Sequence, residues 1–93
     1  MSYRIKPYSF RKADDLGVVI KPSKVAGKKI DVFNKKGEKL ASIGAIGYGD
    51  YPTFMANMGK EYADKKRKAY KIRHEKDRHK RGSAGFYADK ILW

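Results

Sequence analysis

Ninety-three residues give length for one small domain with a single modest core. Twenty-three Lys and Arg stand against ten Asp and Glu, a formal net charge of +13, yet 41% of residues are hydrophobic, more than a disordered basic tail carries. The absence of Cys excludes disulfides and thiolate metal sites, and no apolar run reaches the roughly 20 residues of a membrane-spanning helix.

The opening MSYRIKPYSF lacks the apolar centre of a signal peptide, which disfavours secretion. Ser2 to Tyr8 alternates Tyr3 and Ile5 before Pro7, the pattern of a short edge strand that Pro7 closes. Ser9 is expected to cap a helix over 10–16, with Phe10, Ala13 and Leu16 inward and Gly17 as its stop. The β-branched run Val18-Val19-Ile20, with Pro22 beyond it, reads as a strand. Lys29 to Phe33 alternates again, with Ile30 and Val32 on one face. Asn34-Lys35-Lys36-Gly37 supplies turn chemistry, and Leu40, Ala41 and Ile43 return as the second arm of a hairpin. The expected fold is α+β in one domain over residues 1–93: a small three-stranded antiparallel sheet (18–22, 28–33 and 39–44), then a helical C-terminal half with one long basic helix.

Gly44 to Asp50 holds three glycines in seven positions. Such a loop can cradle phosphate through backbone N–H groups, but neither GxxxxGK[ST] nor GxGxxG is present, so a tight connection is the favoured reading. Asp50 as N-cap and Pro52 in the first turn start a helix over 51–58, with Phe54, Met55 and Met58 inward. Gly59 then allows a change of direction.

Gly59 to Arg81 carries eleven Lys or Arg against four acids. A continuous helix from Lys60 to about His79 would be about 30 Å long, with Tyr62, Ala69 and Ile72 as its inward stripe. Glu61–Lys65, Asp64–Lys68 and Asp77–Arg81 are acid-first pairs four apart, suited to an exposed helix. Arg81-Gly82-Ser83 ends it and caps a last helix over 84–92, whose apolar residues and Trp93 are expected to dock on the core.

Cations reaching outward from a rigid rod suit phosphate, and Arg adds bidentate geometry. The candidate nucleic-acid contacts are Lys65, Lys66, Arg67, Lys68, Lys71, Arg73, His74, Arg78 and Arg81. The helix has no Asn or Gln, so base-specific readout is disfavoured and salt-dependent phosphate contact expected. Tyrosines interleaved with these cations could stack on unpaired bases or serve as core. His74 and His79 are five apart, off the spacing of a helical zinc pair, and His74 can pack beside Tyr70 one turn earlier. No metal site and no cofactor are expected. Asp14-Asp15 are adjacent and diverge on a helix, and Ser83 has no evident His–Asp partners, so no enzyme activity is expected.

The runs Ser42-Ile43-Gly44-Ala45, Gly47-Tyr48 and Asp50-Tyr51-Pro52-Thr53 resemble a family of small basic proteins encoded by giant viruses, the nucleocytoplasmic large DNA viruses. The pattern continues through Gly59, Tyr70, Arg73-His74, Lys76-Asp77-Arg78, Gly82-Ser83, Gly85 and Tyr87-Ala88-Asp89-Lys90-Ile91-Leu92-Trp93. The resemblance spans Lys29 to Trp93 and leaves the first 28 residues uncovered. The family has no assigned function, so it implies no catalytic residues. It implies a protein of the infected host's cytoplasm or nucleus, or one packaged in the virion, and makes duplex DNA the natural polyanion. Acids inside the motif suggest that some of its charged groups pair with one another or hold the fold.

The expected function is therefore sequence-tolerant duplex DNA binding in genome packaging or the virion. A module docking on an acidic viral partner is the main alternative, with a metal-dependent nuclease using Asp50 or Glu75 behind it.

Overall fold

The computed structural model describes residues 3–93. The chain runs α1 (Pro7–Leu16), β1 (Val19–Pro22), β2 (Lys28–Phe33), β3 (Lys39–Ala45), α2 (Tyr51–Met58), α3 (Lys60–Arg73) and α4 (Ala84–Leu92). The strands form an antiparallel sheet in the order β1-β2-β3, so the fold is α+β with a helical C-terminal half, as expected.

The hairpin between β2 and β3 follows from its turn. The Asn34 side-chain oxygen accepts from the N–H groups of Lys36 and Glu38 at 3.0 and 2.9 Å, and Gly37 takes φ +89°, which L side chains rarely adopt. Ile20 lies opposite Val32, Ile30 opposite Ile43, and Val32 opposite Ala41, which collects the aliphatic side chains on one face. The register shifts after Val32, since Phe33 pairs with Lys39 and leaves Leu40 as the extra residue. That bulge keeps Ala41 and Ile43 facing the core and leaves Leu40 partly exposed.

α4 lies along β3, and α1 packs on α4 and β1. Ile30, Val32, Ile43, Ile91 and Leu92 are fully buried in one core with Ala13, Tyr70 and Trp93. Each buried aliphatic side chain contributes about 1.5–3 kcal/mol, which explains why the apolar end of the chain docks.

The N-terminal segment departs from expectation. Ser2 lies outside the described residues, and residues 3–6 join no strand. Pro7 opens α1 instead of closing a strand, because a first helical turn has no use for the N–H it lacks. Ser9 is not the cap, which is Lys6. Ser9 is buried and donates its hydroxyl to the Ile91 carbonyl at 2.9 Å, joining α1 to α4. Ala13 is buried, but Phe10 is exposed.

Asp50 caps α2 through the Thr53 N–H at 2.9 Å, and Ser83 caps α4 through the Phe86 N–H at 3.2 Å. In α2 the buried pair is Tyr51 and Pro52, next to that anchored cap, so Met55 and Met58 turn to solvent against expectation. Gly59, at φ +88°, turns the chain, and α3 packs on α2.

The long basic helix is shorter than expected. It ends at Arg73, and the segment to Gly82 is a series of turns, with the N–H groups of Asp77 and Arg78 both on the His74 carbonyl. Fourteen residues give a rod of about 21 Å, not 30. The helix stops because the chain must reverse to lay α4 against β3, and that packing overrides a weak local propensity.

Candidate nucleic-acid interface

The inward residues of α3 are Ala63 and Tyr70, with Arg67 between them half-buried. Ile72 is 69% exposed and Tyr62 36%, with Ala69 half-buried, so the expected stripe of Tyr62, Ala69 and Ile72 is not the most buried face. Arg67 takes an apolar residue's place. Its guanidinium lies 3.9 Å from the centre of the Tyr51 ring, in reach of Asp64 and the Trp93 carbonyl.

Three of the nine candidate contacts are held inside the fold. Asp89 has a fully buried carboxylate, and the Lys71 ammonium meets it at 2.6 Å, with Arg78 at 3.7 Å. Arg78 also bonds Glu75 at 2.7 Å, and Glu75 holds His79 at 2.9 Å. Arg67 is the third. Asp64 gathers Lys60 and Arg67, together with the Tyr51 hydroxyl at 2.8 Å. The acid-first pairs Glu61–Lys65, Asp64–Lys68 and Asp77–Arg81 do not form; Asp64 turns to Lys60 and Arg67, and Asp77 lies nearest His74, at 3.9 Å.

The other cations remain available. Among the described residues, Lys65, Lys66, Lys68, Arg73 and Arg81 are exposed and have no carboxylate within ion-pair distance, as are Lys76 and Lys80. Lys65 and Lys68 project from the outer side of α3, beside Ile72. Lys66 and Arg73 share the opposite flank with Tyr70 and border a groove.

That groove, about 970 Å³, lies between α3, α4 and the edge strand β3. Lys28 and Lys80, neither of them among the nine candidate contacts, also line it. Gly44, Tyr48, Arg73, His74, Asp77 and Gly85, from separate stretches of the chain, meet here. His74 stacks on Tyr70 at 4.3 Å between ring centres, as its spacing suggested, and Tyr70 stacks on Trp93 at 4.4 Å. Burial, then the Asp89 carboxylate, pushes the Tyr70 phenol up to about 12, so it stays neutral.

The Gly-rich loop is a tight connection. Its Ile46 N–H donates to the Gly27 carbonyl and its Tyr48 N–H to Ala45, and the buried Lys29 ammonium binds both the Tyr48 carbonyl and Asp50, the latter at 2.8 Å. Tyr3 adds its hydroxyl to Asp50 at 2.7 Å. Burial alone would raise the Asp50 carboxyl, but the bonds from Lys29, the Thr53 N–H and Tyr3 hold it below the usual carboxylate range. Asp50, one of the two nuclease candidates, is thus an anchor between sheet and α2. Glu75, the other, is tied to Arg78 and His79.

Among the described residues no group of three or more His, Asp or Glu could hold a metal ion, and no helix is long and apolar enough to cross a membrane. No known protein family, curated protein or solved structure matches the chain.

Proposed function

We propose that the chain binds nucleic acid, duplex DNA foremost, through phosphate contacts with little sequence preference. One observation carries this reading: Asp64, Glu75 and Asp89 are taken up by Lys60, Arg67, Lys71 and Arg78, while Lys65, Lys66, Lys68, Arg73 and Arg81 stay exposed without carboxylate partners. Such cations release condensed counterions from DNA, and five phosphate contacts give a log–log salt slope of about −4 to −5. The lack of Asn and Gln on α3 supports binding that positions on the backbone and does not read bases. The resemblance to giant-virus proteins makes a packaged duplex genome the polyanion we propose, in the virion or the infected cell.

Gel retardation of a random-sequence duplex tests this. Raising salt from about 50 to 200 mM should weaken binding by about 10²–10³-fold. Absence of retardation at the lower salt would overturn the reading in favour of docking on an acidic protein.

A further inference from the structure

The groove beside α3 is built differently from a surface that only collects phosphates. Trp93, Tyr70 and His74 form a ladder of three stacked rings. Its inner members are nearly buried, at 9% and 8% exposure, but the His74 side chain is 40% exposed at the groove wall. A half-exposed ring at the end of a stack can present its free face to one more planar group. Around that face stand Arg73, next in sequence, and Lys80, both lining the groove and both without a carboxylate partner among the described residues. Lys66 lies along the same flank of α3.

The nearby carboxylates leave room for an anion. Asp50 is committed to Lys29 and Tyr3. Asp77, at 3.9 Å from His74 Nδ1, is 72% exposed. Every nucleobase has a π face, and base–aromatic stacking tolerates any sequence, whereas duplex DNA keeps its base faces covered by its own stacking.

We propose that this groove receives an unpaired nucleobase, stacked on His74, from a strand whose phosphates are held by Lys66, Arg73 and Lys80. The protein would then bind a duplex carrying a single-stranded end or gap more tightly than a continuous duplex. The inference rests on the phosphate-binding reading and adds a second, non-electrostatic contact to it.

Fluorescence anisotropy with the full chain, comparing a blunt duplex with the same duplex bearing a short dT overhang, decides the matter. The overhang should tighten binding roughly tenfold, a modest yield for one stacked base. His74→Ala should abolish that advantage, whereas His74→Phe, which keeps a ring, should restore it. Equal affinity for the two duplexes, or loss of the advantage in His74→Phe as well, would overturn the groove assignment and leave the phosphate reading standing. Absence of binding to either duplex would overturn both.

Discussion

Asp89 sits on the buried face of α4, among Ile91, Leu92 and Trp93, with no exposed surface on its carboxylate. An ion taken out of water must be matched, and Lys71 and Arg78 match it. Removing Lys71 leaves the carboxylate buried with only the longer contacts to Arg78 and Lys90, at 3.7 and 3.9 Å, so Lys71→Met should lower stability by about 2–3 kcal/mol in urea denaturation. A second residue-scale expectation concerns acid. Burial alone would raise the Asp31 carboxyl, but the hydroxyls of Ser23 and Ser42, the Lys24 N–H and the Lys39 charge together hold it below its ordinary value. Asp50 is lowered likewise. Folded values below the unfolded ones mean that the unfolded chain takes up protons first as pH falls. The stability these groups contribute is full above about pH 4 and is lost as pH drops through their folded values. Urea midpoints measured from about pH 6 down to pH 2 should trace that loss, and Asp50→Asn should flatten it at the cost of lower stability at neutral pH. Neither site was legible as a core pairing in the sequence, because a lysine in a basic run reads as solvent-facing. The sign was there in Asp89, an acid on an otherwise apolar turn of helix.

At the scale of elements, the hairpin and both capped helices were readable because their signals are local. Period-two alternation, Asn34 to Gly37, Asp50 three residues before Thr53 and Ser83 before Phe86 act within a few residues. The phase of α3 was not readable. Two stripes compete along it, Tyr62/Ala69/Ile72 and Ala63/Arg67/Tyr70, and the more apolar one is the less buried. The choice falls to partners distant in the chain: Trp93 stacks on Tyr70, Tyr51 receives Arg67, and Asp89 binds Lys71. Tyr70→Ala should therefore cost about 3–5 kcal/mol, as for a buried aromatic. Ile72→Lys should change stability by no more than about 0.5 kcal/mol. Equilibrium denaturation of the two variants checks the assigned phase. The reverse order of effects would restore the stripe expected from the sequence.

At the scale of the molecule, a chain of +13 ties Asp31, Asp50, Asp64, Glu75 and Asp89 to Lys or Arg, and α3 with the turns that follow presents a cluster of cations left over from that pairing. Net charge was enough to suggest a polyanion. Which cations are on offer depends on the tertiary pairing. That division gives the most direct test of the account: the slope of log affinity for blunt duplex DNA against log salt, measured for three proteins. Replacing the exposed Lys66, Lys68 and Arg73 together by Ala should flatten the slope of the unaltered chain by about 2–3. Lys71→Met, measured under conditions where it is folded, should leave the slope unchanged, whereas a lost phosphate contact would flatten it by about 0.9. A triple variant with the original slope and affinity would contradict the account.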